Sequence, residues 1–470
     1  MRHCTRGRFR QQFKFLRRQF LQDGGLPFAE LLSDKTAEQA LTATGLVWND
    51  RIYTPLVTLW VFLGQVLSSD HSCRGAVARL IAHRVSQGQR PCSSKTGGYC
   101  QARKRLPENV VATMARTVGR KLEDQAEVNW LWKGHHVYMF DGTTTLMPDT
   151  AENREAYPLV HNQKEGLPLM RVAAIFSLSC GVILDLATAK YAGKGQGEVT
   201  LLRQLWQIFS KGDILLADCL MCNWRNLFEL NERGVHVVTR INRALRKADF
   251  RTGERLGKDD HVVRWPKPHI RGVGRAAQLA MPRYITVREA RIYITQPGFR
   301  TKEIVIVTTL LDPIEYTKED LANLYLRRWN NELDLRCVKT EMGMECLRCK
   351  TPELVRKEIW THALTYNLIR TIMAQAAAKY SLMPRTISFK GALQTLEAFR
   401  PIISTLGRHS ASTRELLYEQ LLQAIMLHRV ADRPDRFEPR RIKRRHKHYV
   451  PLAVPRSEAK RQILKGLTKN

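Results

Sequence analysis

Between His135 and Leu311, short apolar runs alternate with helix-like stretches, and two of the runs end on an aspartate. "HHVYMF" closes on Asp141, before the turn-like "DGTTT", and "DILLA" closes on Asp218. Around them, "RVAAIFSLS" and "GVILDLATAKY" predict a hairpin turning at Cys180-Gly181. "EVTLLRQLWQIF" and "NWRNLFELNERG" predict helices, and "VHVVTRI" and "EIVIVTTLL" predict strands. Strand, hairpin, helix, strand, helix and strand make a mixed α/β core. Residues 242–301 break this alternation with Arg, Lys, Gly and Pro around β-like pieces such as "HVVRW" and "ARIYI", so a β-rich insertion is expected there. The loop "GKGQGEVT" lacks the spacing of a phosphate-binding P-loop.

Both flanks are helical in pattern. "PLVTLWVFLGQVL" from Pro55 is short for a membrane span and interrupted by Thr, Gly and Gln, so it predicts a buried helix. "SCRGAVARLIAHRV", a loop, and the basic "YCQARKRL" match the order of a helix-turn-helix DNA reader; a plain bundle with a solvated basic face fits equally well. From Pro352 a long amphipathic helix is expected, then two more helices to about residue 430. The tail Arg429–Asn470 has fourteen Arg and Lys against four acids and includes "PRRIKRRHKHY". An arm that tracks phosphates is the preferred reading, with a solvated tail as the plain alternative.

Charge narrows the partner. Over 470 residues, 76 Lys and Arg against 44 Asp and Glu leave a formal +32, which favours nucleic acid. The basic N-terminus has no apolar segment of the secretory kind and no amphipathic anchor stands out, so a cytoplasmic protein without a membrane partner is expected. Ten cysteines form no disulfide framework. The pairs Cys219/Cys222 and Cys346/Cys349 lie too far apart for a compact zinc ribbon, and ordinary thiols are expected.

The most specific signal is "YLRRWNNELDLRCVKTE", Tyr325–Glu341. On one helix at about 100° per residue, Tyr325, Arg328, Glu332, Arg336 and Lys339 share an arc of roughly 80°. Leu326, Trp329, Leu333 and Cys337 fill the adjoining arc and should dock the helix, while Asp334 and Glu341 point away. Alone, such a stripe is a salt-bridged surface helix. With Asp141 and Asp218 at strand ends, Glu332 completes three carboxylates able to hold two divalent cations roughly 4 Å apart. Oxygen ligands suit Mg²⁺, with Mn²⁺ as a substitute. Arg328, Arg336, Lys339 and Tyr325 would grip DNA phosphates beside them.

The spacing Tyr325–x2–Arg328–x3–Glu332–x6–Lys339 resembles the Y-R-E-K signature of the insertion-sequence-four family of bacterial DDE transposases. Asp141 before Gly-Thr-Thr and Asp218 in "LLADCLMCNW" resemble that family's first and second acids. The resemblance covers roughly 130–380 and implies an RNase H-like core, formed by 131–241 and 302–350, with the β-rich insertion at 242–301. It further implies a basic, helical, end-binding part at 1–130 and a helical C-terminal part with its basic tail at 351–470. Asp141, Asp218 and Glu332 would be the metal-binding triad of an enzyme that binds terminal inverted repeats, cleaves the ends and joins the 3′-hydroxyls to target DNA, working as a homodimer on double-stranded DNA. Tyr325, Arg328 and Lys339 inherit contacts to the terminal phosphate, and Trp265 is the insertion aromatic placed to hold a flipped base. A structure-selective nuclease of the same fold that cuts without joining is the runner-up. A DNA-binding protein without catalysis is a third reading, opposed by the intact acids.

Overall fold

A computed structural model describes residues 6–22, 26–28, 30–45, 51–159, 166–270, 272–294, 303–405, 410–430 and 454–465. Among these, nine strands form one mixed sheet: β1 (Val137–Leu146), β2 (Leu169–Ser177), β3 (Ile183–Lys190), β4 (Ile214–Leu216), β5 (His236–Arg240), β6 (Glu254–Gly257), β7 (Asp260–Pro266), β8 (Tyr284–Tyr293) and β9 (Glu303–Thr308). Their order is β3-β2-β1-β4-β5-β9-β8-β7-β6. The centre, β1-β4-β5, is parallel, and every other pairing is antiparallel. The apolar runs of β4 and β5 are buried throughout their middles, as central parallel strands require.

The sequence-based elements are found, with differences that have physical causes. "DGTTT" is strand, because β2 pairs with β1 continuously from Tyr138 to Leu146 and supplies partners for that backbone. The stretch 242–301 is β-rich, but it extends the main sheet: β8 pairs with β9 from Arg288↔Thr308 to Tyr293↔Glu303. A buried ion pair, Arg288 Nη2 to Asp260 Oδ2 at 2.6 Å, ties β8 to β7.

Helices cover the sheet. Pro55–Leu67 is buried along nearly its whole length, and Thr54 caps it by accepting from the Val57 amide. The long helix Pro352–Lys379 is not amphipathic as expected. Every residue from Lys357 to Ala377 is buried, because the helix is enclosed by Glu108–Asp124, Pro55–Leu67, Phe389–Thr405, Ala411–Leu427 and β3. Its polar residues find partners inside. Asn367 donates to the carbonyls of Ala115 and Ile183 and accepts from the Ile183 amide, all within 2.9 Å. Gly119 allows that crossing, since a Cβ there would lie 2.3 Å from the Ile183 oxygen. Helices before and after the sheet thus share one core.

Cys73–Ser86 and Gly97–Arg105 are helices as expected, and a third helix, Glu108–Asp124, follows them. In the basic one, Lys104 and Arg105 are exposed, but Arg103 is buried among the sulfurs of Cys73, Cys100 and Cys349. "PRRIKRRHKHY" lies outside the described residues.

Candidate active site

Parallel pairing fixes where the two aspartates meet. β1 and β4 pair as far as Met139↔Leu216, and Asp141 and Asp218 each follow two residues later, at the same edge. Asp141 is therefore within β1, beyond the end of its parallel neighbour, and not at a strand end. Open α/β sheets place their reactive groups at this carboxyl edge. Asp141 accepts from the Gly142 amide at 2.7 Å, and Asp218 accepts from the Leu220 amide at 2.9 Å. Burial pushes the Asp141 carboxyl up to about 6; the carboxylates of Asp218 and Glu198 push the same way, against the Gly142 amide and the Arg328 guanidinium.

The segment Tyr325–Glu341 is not one regular α-helix. Lys318–Leu326 ends, Trp329–Arg336 follows, and Cys337–Glu341 widens into a π-turn. At the first junction the amides of Arg328, Asn330 and Asn331 bond three residues back, to Tyr325, Arg327 and Arg328. Tight turns rotate the chain faster than 100° per residue and wide ones slower, so a uniform helical wheel misassigns the docking face. Leu326, Trp329 and Leu333 are 41%, 45% and 41% exposed, contrary to expectation. Asn331, Asp334 and Val338 are buried instead. Asp334 accepts from Arg370, Arg385 and Tyr366, which anchors the glutamate's helix to the core.

From that helix Glu332 accepts from Arg328 Nη2 at 3.1 Å. Arg328 lies near Tyr325, Glu332 and Asp141, so it stands among three of the expected site residues. Tyr325 is largely buried; burial pushes its hydroxyl up to about 12, assisted by Asp218 and Cys219 and opposed by Arg328 and Arg240. It is a neutral donor at physiological pH. Asp141, Asp218, Tyr325, Arg328 and Glu332 thus form one neighbourhood. Among the described residues no three His, Cys, Asp or Glu side chains form a ready metal cage, and Glu332 faces Arg328. The donor chemistry nevertheless fits a hard divalent cation: Asp141 and Asp218 offer carboxylate oxygens at one sheet edge, and burial and the neighbouring acids raise the Asp141 carboxyl.

Residues 132–368 match the family described as Transposase DDE domain. The chain belongs to the DDE transposases. It is 26% identical over 437 residues to the transposase InsG of insertion sequence element IS4 from Escherichia coli K12, covering 92% of this chain and 94% of that one. Its structure is similar to piggyBac transposase in a synaptic complex with hairpin DNA, at 10% identity and a TM-score of 0.41, over 90% of this chain and 88% of the other.

Two expected DNA contacts of the transposase stand apart from this neighbourhood. Arg336 lies 3.7 Å from Glu341, which also meets Lys390, and Arg336 does not pair with Glu332. Trp265 is only 5% exposed; its Nε1 donates to Glu289 at 2.7 Å, its carbonyl accepts from Trp224, and Arg246 covers its ring. In this DNA-free arrangement the ring is enclosed by the chain's own residues. Lys339 is half-buried, with no side-chain ion pair among the described residues.

Sequence reasoning missed Glu198 and Arg240. Glu198 opens the helix after "GKGQG", pairs with Arg171 at 2.8 Å, and leans over Gly142 so closely that a Cβ there would lie 2.6 Å from its carboxylate. A Cβ at residue 142 would displace that carboxylate. Arg240, the last residue of β5, donates to the Cys219 sulfur at 3.4 Å and faces Tyr325 and Asp218. The signal for both was position, an ionisable residue at a strand or helix terminus of the carboxyl edge. The CxxC pairs have separate surroundings: Cys219 meets Arg240, and Cys349 meets Arg103. Among the described residues no helix is long and apolar enough to cross a membrane.

Proposed function

We propose that this transposase binds the terminal inverted repeats of an insertion sequence, cleaves the ends and joins the freed 3′-hydroxyls to target DNA. Asp141, Asp218 and Glu332 would hold Mg²⁺, or Mn²⁺ in its place. The observation that carries the reading is Asp141, buried beside Asp218 and Glu198 with Arg328 alongside. A bound cation would relieve that crowding of acid.

When bound, the divalent ions supply Lewis acidity that favours an ionised oxygen nucleophile and a departing oxyanion. The chain's own residues do the rest. Arg328 offers a planar fork to a non-bridging phosphate oxygen, and breaking its pair with Glu332 frees that carboxylate. Tyr325, neutral, donates its hydroxyl proton to a phosphate oxygen without losing it. Lys339 adds a point charge. Leu326, Trp329 and Leu333 present an apolar strip beside Glu332 on which a base or sugar can rest. The RNase H-like division of the chain, the insertion at 242–301, end-binding by 1–130 and dimerisation on DNA belong to the same proposal.

The experiment combines the protein, Mg²⁺, a plasmid carrying the element's inverted repeats and a target plasmid. Joined products support the proposal. Cleavage without joining would make the chain a nuclease, and binding alone would remove the catalytic reading.

A further inference from the structure

Away from the acids, a cavity of about 480 Å³ opens between the N-terminal helices and the helix Phe389–Thr405. Its apolar wall includes Val61, Ala76 and Pro401, and its polar wall Gln19, Trp60, Arg79, His83, Glu397 and Arg400. Two arginines face one glutamate. Arg79 reaches the Gly64 carbonyl at 3.3 Å, while Arg400 makes no hydrogen bond or ion pair among the described residues. Arg400 lies so close to the helix Pro55–Leu67 that a Cβ on Gly64 would come within 3.1 Å of its Nη2. Burial, with Arg79 beside it, lowers Arg400 to about 10 despite Glu397. His83 is kept neutral by burial and by Arg84.

Three further polar atoms on this wall are buried without partners among the described residues: Trp60 Nε1, Gln19 Nε2 and His83 Nδ1. The indole can only donate. Buried donors left unpaired are costly, and here they share a cavity with uncompensated positive charge. The Trp60 and His83 rings lie 5.1 Å apart with their planes inclined at 57°, so part of the wall is aromatic. The volume is that of a small-molecule site. A recess of this volume between packed helices is too small to admit a DNA duplex, which favours a low-molecular-weight ligand.

We propose that this cavity binds a small organic oxyanion, a phosphate ester or carboxylate carried on an apolar body. The head group accepts from Arg400, Arg79 and the Trp60 indole, and the body lies along the apolar wall. Such a ligand would join the helices Pro55–Leu67 and Cys73–Ser86 to Phe389–Thr405. The site is independent of the acids at the sheet edge.

The test uses full-length protein labelled with 5-fluorotryptophan, with the Trp60 resonance assigned by Trp60→Phe and followed by fluorine NMR. Phenyl phosphate, benzoate, inorganic phosphate, benzyl alcohol and a short DNA duplex are the probes. Phenyl phosphate or benzoate should shift the Trp60 resonance saturably, roughly tenfold more tightly than inorganic phosphate or benzyl alcohol. Arg400→Gln should weaken that binding by roughly 10- to 100-fold. If Arg400→Gln fails to fold, Arg79→Gln should weaken it in the same direction. Glu397→Gln, which removes no donor, should tighten it by about threefold or more. An unmoved Trp60 resonance with both aromatic anions overturns the proposal, as does equal binding of benzyl alcohol. A Trp60 shift produced by the duplex alone would make the cavity a DNA contact and overturn it too.

Discussion

Arg385 meets Asp334 with both terminal nitrogens, Nη2 to Oδ2 at 2.8 Å and Nη1 to Oδ1 at 3.2 Å. Arg370 binds the same carboxylate, and Tyr366 donates to it at 3.1 Å. Asp334 is two residues from Glu332, so this buried cluster orients the catalytic candidate from behind. Asp334→Asn leaves the buried guanidinium of Arg370 and the half-buried one of Arg385 without their counter-charge and should cost about 3–5 kcal/mol. Urea unfolding of the two proteins measures it; an unchanged midpoint would contradict the anchoring role.

Asp141→Asn, Asp218→Asn and Glu332→Gln should each abolish strand transfer while leaving the fold intact. Asp141→Asn also relieves the crowding of acids, so the metal-free variant should melt above the wild type. Mg²⁺ should raise the melting temperature of the wild type more than that of the variant. Retained strand transfer in any of the three variants would remove that residue from the triad.

Gly142→Ala tests Glu198. The added Cβ meets the far end of a flexible side chain, so folding should lose about 1 kcal/mol or less as Glu198 turns away from Arg171. Activity should fall well below what that small cost explains. Equal losses of activity for Gly142→Ala, Glu198→Gln and the double variant would tie the effect to Glu198. A fully active Gly142→Ala would leave Glu198 as an ordinary salt-bridge partner.

The two tryptophans should behave oppositely. Trp265→Ala empties a packed, hydrogen-bonded position and should cost about 3–5 kcal/mol. Trp329→Ala should leave stability within about 0.5 kcal/mol and weaken binding to transposon-end DNA. Thermal melts and gel-shift titrations separate them; a destabilised Trp329→Ala would return that ring to the core.

His362 supplies a pH signature. Burial, with His71 alongside, lowers it from 6.5 to about 3, so the folded chain keeps it neutral while the unfolded chain protonates it. Stability should therefore fall as pH drops from about 6.5 toward about 3, by at most about 1.4 kcal/mol per pH unit from this group. His362→Leu should flatten that slope in urea midpoints taken between pH 6.5 and 4.5; an unaltered slope would assign the acid sensitivity elsewhere.

Alternating apolar runs and helical stretches were sufficient to predict a mixed α/β sheet, because burial on both faces imposes long apolar strands. The spacing of Tyr325, Arg328, Glu332 and Lys339, with the two strand-associated aspartates, identified the family without coordinates. Local pattern carries that information since it concerns residues a few positions apart. What lay beyond it was decided by contacts between distant segments. Pairing with β2 kept Asp141 inside a strand, and the edge where β1 and β4 part brought it to Asp218. Enclosure on all sides buried the Pro352 helix, including the Asn367 and Arg370 side chains that no hydropathy pattern marks for the interior. The same tertiary partners, Arg370 and Arg385, drew Asp334 inward and turned Leu326, Trp329 and Leu333 out. A helical wheel has one rotation per residue and no neighbours. The folded chain tightened and then widened that turn, and the choice of docking face followed from which side chains found buried partners.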